Sequence, residues 1–165
     1  KFGAVTEYAE VLSVDFSEKI KKIETTSGTF LGKTVIVSTG ANPRELGLEN
    51  EAQLMGKGVH YCAHCDGRFY KNKTVVVVGG GNSAAADALY LSRLAKKVIL
   101  VHRRDKLRAT KIYHEPLMKA ANIEFMWNSS VSEILAENRV TGVVIKNKES
   151  VALKTYYRIV GRRIP

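Results

Sequence analysis

Thr74-Val75-Val76-Val77-Val78-Gly79-Gly80-Gly81-Asn82-Ser83-Ala84 decides the fold. A continuous β-branched run suits a strand buried on both faces, because neither side of it is left for water. The run stops at three glycines. Ser83–Ala95 then resumes as an alanine- and leucine-rich stretch, with Ala84, Ala88, Leu91 and Ala95 on one helical face. Lys96 and Lys97 close it where cations complement the helix dipole, and Val98–Val101 reads as a second buried strand. Strand, glycine turn, helix and parallel strand make one βαβ unit of about thirty residues.

Within that unit Gly79, Gly81 and Ala84 fit the dinucleotide fingerprint G-x-G-x-x-G/A. The first glycine permits the tight turn and the second lets backbone approach a pyrophosphate. The small third residue lets helix pack on strand, and the N-terminal N–H groups, at Asn82 and Ser83, face the anion. A plain βα turn is the rival, and the flanking strand and helix favour the nucleotide. The end of the second strand chooses the cofactor. An NAD site places an Asp or Glu there, about twenty residues beyond the glycines, to hold the ribose hydroxyls. This chain has His102-Arg103-Arg104-Asp105-Lys106-Leu107-Arg108 instead. Guanidinium groups fork onto a 2′-phosphate that a carboxylate would repel. Two such contacts at about 1.5–3 kcal/mol each favour NADPH over NADH by roughly 10²–10⁴-fold.

Downstream, Ala109–Ala121 is expected to be helical with a kink at Pro116. Ile123–Trp127, Val131–Leu135 and Val140–Lys146 follow as strands. Upstream, Asn42–Gly58 carries Pro43, Gly47, Gly56 and Gly58 and reads as a connector, with a domain boundary near Ala41–Arg44. The first forty residues alternate in the manner of an antiparallel meander: Tyr8–Val14, Ile20–Thr25 and Phe30–Val37, the last ending as an apolar strand at Ser38-Thr39-Gly40-Ala41. The fold class is α/β: a Rossmann-like domain over residues 42–160 with three-layer character, behind a β-meander over residues 1–41.

Both cysteines of the chain lie in His60-Tyr61-Cys62-Ala63-His64-Cys65-Asp66-Gly67. C-x-x-C beside a βαβ pattern suggests a redox pair, for which disulfide and dithiol are both accessible. Asp66 stands beside Cys65, placed to pass a proton to a leaving thiolate. Zinc is one rival, since His60, Cys62, His64 and Cys65 are all possible ligands. A closed tetrahedral site draws its ligands from two separated pairs, and no second pair exists in this sequence, so no metal is expected. A structural thiol pair is the other rival.

The chain carries a net charge of +10, unevenly: residues 1–50 hold six Lys/Arg and seven Asp/Glu, residues 51–165 twenty and nine. Arg93–Lys119 alone holds nine basic and two acidic residues. Such a field faces an anion. No aromatic residues interleave these arginines as on a single-strand-binding surface, so nucleic acid is not the expected partner. With 45% hydrophobic and 25% charged residues the composition is that of a globular chain rather than a disordered one. The longest strongly apolar run, Val75–Val78, falls far short of the roughly 20 residues that cross a bilayer. No membrane partner and a cytoplasmic location are expected.

The motif Cys62-Ala63-His64-Cys65-Asp66-Gly67, the strand with Gly79-Gly80-Gly81-Asn82-Ser83-Ala84, and His102-Arg103-Arg104 through Arg108 resemble the low-molecular-weight thioredoxin reductases in residue type, order and spacing. The similarity runs from Tyr8 to about Lys146. It implies NADPH-dependent reduction of thioredoxin through FAD, with Cys62 and Cys65 as the redox disulfide and Asp66 as proton donor. Gly79, Gly81, Asn82, Ser83 and Ala84 would hold the pyrophosphate, and His102, Arg103, Arg104 and Arg108 the 2′-phosphate side. Val37-Ser38-Thr39-Gly40-Ala41 resembles the family's flavin-side turn, with Thr39, Gly40 and Ala41 toward FAD. The resemblance also implies a homodimer for the intact protein and a second interdomain crossing at residues 161–165. The family's FAD domain opens on its own glycine fingerprint and closes on a Gly-Asp motif, neither of which this sequence carries. The chain as given is therefore expected to bind NADPH but not to hold FAD tightly or to turn over. Arg158 sits where the family has an apolar strand. Rival readings are the flavoprotein subunit of alkyl hydroperoxide reductase and a non-catalytic NADPH-binding domain.

Overall fold

A computed structural model of the chain describes residues 3–40, 42–148 and 153–156. The chain divides into two compact units, Lys1–Ala41 and Asn42–Pro165. Ala41, Arg158 and the expected crossing at residues 161–165 lie outside the described residues.

The first unit is a three-stranded antiparallel meander of β1 (Val11–Asp15), β2 (Lys21–Thr25) and β3 (Gly28–Gly32), in that order. The Asp15 carboxylate accepts from the N–H and hydroxyl of Ser17 at 2.9 and 2.7 Å and shapes the first turn. Those hydrogen bonds hold the carboxyl below its ordinary range. The strands are shorter than their alternation suggests, and the expected strand at Val35–Val37 does not form. Thr34–Gly40 has no regular structure. An apolar run becomes a strand only where a neighbour takes up its backbone groups, and among the described residues none does so here.

The second unit has three layers. Its centre is a parallel sheet of β4 (Thr74–Val78), β5 (Lys97–Val101) and β6 (Ile123–Met126), in register from Thr74↔Lys97 to Val101↔Met126. Val75, Val77, Val98 and Leu100 point to one face. There they pack with Ala84, Ala85, Ala88 and Leu91 of α2 (Asn82–Ser92) and Leu117 of α3 (His114–Lys119). Val76, Ile99 and Val101 point to the other face, against Val131 and Ile134 of β7 (Ser129–Ala136) and Val143 and Ile145 of β8 (Val140–Asn147). β7, β8 and β9 (Leu153–Tyr156) form an antiparallel sheet. The continuous valine run thus serves two cores at once.

Three details depart from the expectations. α2 ends at Ser92, and Lys97 opens β5, its ammonium paired with Glu124 on β6. Asn122 does the closing instead: its amide donates at 2.8 Å to the carbonyl of Ser92, a group that a helix end leaves without a partner, and at 3.1 Å to that of Ala95 just beyond. The stretch 109–121 is helical only as a 3₁₀ turn, Lys111–Tyr113, running into α3. Pro116 does not break α3, because it occupies the first turn, where its missing N–H has no intrahelical acceptor to lose. The connector is also more ordered than its composition suggests. Buried Glu51 accepts from the backbone N–H groups of Leu46, Gly47 and Leu48 and from the Tyr61 hydroxyl at 2.8 Å. Burial, and then that carboxylate, push the Tyr61 phenol well above its ordinary range. No helix among the described residues is long and apolar enough to cross a membrane.

Candidate functional site

A cavity of about 450 Å³ opens at the carboxyl ends of β4 and β5, the end of an open parallel sheet where ligands bind. The glycine turn, Ser83 and Ala84 form one side of it, and His102, Arg103 and Arg108 another. Gly79 has φ 144° and its N–H donates to the Val101 carbonyl at 3.0 Å, which continues the ladder one residue beyond the strand. A Cβ added to Gly80 would overlap the imidazole of His102, whereas one added to Gly81 would meet nothing within 4 Å. The two glycines are therefore needed for different reasons. Gly80 lets a ring lie against the turn, and Gly81 leaves room on the cavity side, at the position that caps α2. The sequence reading assigned roles to Gly79 and Gly81 and missed Gly80, whose neighbour lies 22 residues on.

Asn82 opens α2, and its Oδ1 accepts from the Thr110 N–H at 2.8 Å. The Gly80 carbonyl accepts from the N–H groups of Arg108 and Ala109 at 2.7 and 2.9 Å. Leu107 and Ala109 are buried in the helix-side core, so the loop between them and β5 is pinned at its far end. Arg103, Arg104 and Arg108 are left exposed, and none has an ion-pair partner among the described residues. Arg103 and Arg108 line the cavity. Arg104 is not among its lining residues, and its carbonyl accepts from the Asn128 N–H at 3.2 Å. His102 is buried, and its Nε2 has no hydrogen-bond partner among the described residues. Burial chiefly, with repulsion from Arg104, Arg108 and Arg103, holds this imidazole below its ordinary value of 6.5. An orphaned buried nitrogen, open space beside Gly81, the N-terminus of α2 and two unpaired guanidiniums together fit a phosphorylated dinucleotide. Thr110, Ser129 and Ser130 also line the cavity and were not foreseen. The signal available was positional, since Ser129 and Ser130 lie three and four residues beyond the end of β6, where they open β7.

The second chemical centre is the Cys62–Cys65 disulfide, with Cα atoms 5.3 Å apart. Cys62 caps the single turn α1 (Ala63–Asp66), its Sγ accepting from the Cys65 N–H at 3.2 Å. The four ligands of the zinc reading do not converge. His60 is engaged with Asp66 and Tyr70, and His64 stacks on Tyr90 with ring centroids 4.1 Å apart. The sulfurs bond each other, and among the described residues no group of three or more His, Cys, Asp or Glu is placed to hold a metal. Asp66 ends α1 with its carboxylate 3.0 Å from His60 Nδ1. Thr39 and Gly40 are exposed in the first unit, in its segment without regular structure.

The model of a family described as pyridine nucleotide-disulphide oxidoreductase matches residues 3–165. Among curated proteins, a thioredoxin reductase of Peptoclostridium litorale is 42% identical over 150 residues, 91% of this chain and 48% of that protein. One of Listeria monocytogenes is 44% identical over 143 residues, 86% of this chain and 45% of that protein. Among solved structures, thioredoxin reductase of Lactococcus lactis superposes with a TM-score of 0.74 at 38% identity, covering 94% of this chain and 52% of that one. That of Giardia duodenalis gives 0.78 at 36% identity, over 96% and 53%. The chain spans about half the length of the curated relatives it matches.

Proposed function

We propose that this chain, which belongs to the pyridine nucleotide-disulphide oxidoreductase family, is the nucleotide-binding and disulfide-bearing part of an NADPH-dependent thioredoxin-disulfide reductase. The observation that carries the proposal is that one unit, within residues 42–148, holds both the Cys62–Cys65 disulfide and a cavity joining a glycine turn to Arg103 and Arg108. The backbone at Gly79, Gly81, Asn82, Ser83 and Ala84 holds the pyrophosphate of NADPH, and Arg103 and Arg108 hold its 2′-phosphate, with Arg104 adding charge at the rim. Neutral His102 offers its buried nitrogen to the same ligand. When bound, NADPH would supply a hydride, and FAD would be the two-electron carrier between that hydride and the disulfide.

Reducing a disulfide to two thiols takes two electrons and two protons, one proton more than a hydride carries. Asp66 supplies a proton to a leaving thiolate beside Cys65. Cys62 and Cys65 then pass the electron pair to a protein disulfide, that of thioredoxin, by thiolate attack and exchange. The intact protein is a cytoplasmic homodimer in this reading. Thr39 and Gly40 do not by themselves make a flavin site, so the chain as given binds NADPH without reducing thioredoxin.

Titration of the purified chain tests the reading. NADPH binds at least about tenfold more tightly than NADH, and the thiol count rises by two on mild reduction. Equal affinities, or one equivalent of metal that survives dialysis, refute it. Turnover of thioredoxin by this chain alone refutes the division of labour.

A further inference from the structure

In the sequence His60 stands out only as a possible zinc ligand. In the fold it is 8% exposed and both of its ring nitrogens are engaged. Nδ1 lies 3.0 Å from Asp66 Oδ2, and Nε2 meets the Tyr70 hydroxyl. The Tyr70 ring stands edge-on to the imidazole at 70°, and Tyr70 is itself buried. The ring plane is therefore set from both sides, and so is the one carboxylate oxygen that faces it. Asp66 keeps a third of its side chain exposed, so the carboxylate fronts the solvent side with His60 behind it. A second cavity of about 450 Å³ opens onto these three residues. The other charged groups around that cavity are Lys57, Lys73 and Arg139.

We propose that His60 is the positioning residue and proton reservoir of Asp66, joined with Tyr70 in a relay that recharges Asp66 each time the Cys62–Cys65 disulfide is opened. This rests on the reading of Asp66 as the acid. When Asp66 is ionised, His60 Nδ1–H donates to Oδ2. When Asp66 is protonated, its O–H donates to Nδ1, and Nε2–H donates to the Tyr70 oxygen. The two states differ by one proton, exchanged with solvent, and by the imidazole tautomer; the Tyr70 hydroxyl turns from donor to acceptor and no ring moves. In the step itself an external thiolate attacks one sulfur of the disulfide. The new S–S bond forms as the Cys62–Cys65 bond breaks, and the electron pair leaves on the released sulfur. The proton of Asp66 goes to that sulfur; the His60 Nδ1 proton then passes to Oδ2 as Nε2 takes one from the Tyr70 hydroxyl, which solvent replaces, so the couple regains the single proton it gave up. Attack by the second thiol of a dithiol reductant then frees the other sulfur, so the reductant is oxidised by the two electrons the chain gains.

The test reduces the chain's disulfide with dithiothreitol from about pH 5 to about pH 9. Rates are expressed per reductant thiolate, so that the reductant's own ionisation cancels. In the native chain the normalised rate falls by about tenfold once the acid has lost its proton. His60→Gln moves that fall by at least about one pH unit, and Tyr70→Phe moves it in the same direction by less. Both are checked for native circular dichroism. If His60→Gln does not fold, Tyr70→Phe decides alone. A fall that stays at the same pH in the folded variants overturns the relay. Asp66→Asn separates the two readings: it abolishes the fall if Asp66 is the acid. A fall that survives Asp66→Asn, or is missing from the native chain, removes the reading of Asp66 and the relay with it. A fall abolished by Asp66→Asn but unmoved by His60→Gln removes His60 alone.

Discussion

Residues 3–40 and residues 42–148 are written in much the same β-branched alphabet, and they end differently. Among residues 3–40 no side chain is buried; Val11, Leu12, Leu31 and Val37 are all more than half exposed. That meander is held by its ladder and by surface links such as Ser13 to Glu24 at 2.7 Å and Lys22 to Glu24 at 2.6 Å. Such exposed links are worth little against water and salt. Lys22 and Glu24 are each drawn toward their charged forms by that bond. In residues 42–148 the same kind of strand is covered on both faces, and Val75, Val76, Val98, Ile99, Leu100 and Val101 are fully buried. Alternation in a sequence announces strands. It does not announce what covers them.

Substitutions in the two regions should differ in cost accordingly. Leu91→Ala, at a fully buried site on α2, is expected to cost about 2–5 kcal/mol in urea unfolding. A loss below 1 kcal/mol, roughly that of a surface site, would mean the helix-side core is loosely packed. Gly80→Ala drives a Cβ into the His102 ring, at an expected cost of about 1–3 kcal/mol, and weakens NADPH binding. Calorimetry that finds both unchanged would show that the ring moves aside freely. Replacing Arg103 and Arg108 together by alanine should weaken NADPH by at least about tenfold and leave NADH nearly unaltered. Equal losses would assign these arginines to the fold, and Arg104→Ala should do less than the pair.

The fourth measurement follows stability with pH. The buried His102 takes up its proton less readily in the fold than in the unfolded chain. Its contribution is complete above the ordinary value of 6.5 and is lost as the pH falls below it, because the unfolded chain is protonated first. The urea midpoint should drop between about pH 7 and pH 5, and His102→Gln should flatten that drop. Leu31→Ser closes the series, with an expected change within about 0.5 kcal/mol and improved solubility. A larger loss would show that Leu31 is covered after all.

The parts legible in the sequence were those whose cause is local. The valine run, the turn at Gly79 and Gly81 and the basic run after β5 lie within some thirty-five residues (74–108), and each is set by residue type over a short span. The meander was legible in outline, except at Val35–Val37, where a strand depends on a neighbour the sequence does not name. The partners that close the sites were illegible. His60 meets Tyr70 across ten residues of folded chain, and Glu51 gathers three backbone N–H groups and a phenol from both sides of itself. Gly80 needs its small size only because His102 returns to it. Nothing in a run of residues says which side chain will come back to meet it.

The hydrogen bonds from Arg108 and Ala109 to Gly80, and from Thr110 to Asn82, bear on how this chain can diverge. They act as a template for length. The side chains at positions 103, 104 and 108 are exposed and carry none of these bonds, so their identities can change without disturbing the turn. Insertions and deletions between His102 and Leu107 are not, because one residue more or fewer would slide three N–H groups off their acceptors and lift Leu107 from its seat. Homologous loops that differ in cofactor but share this turn should therefore differ in spelling and agree in residue count.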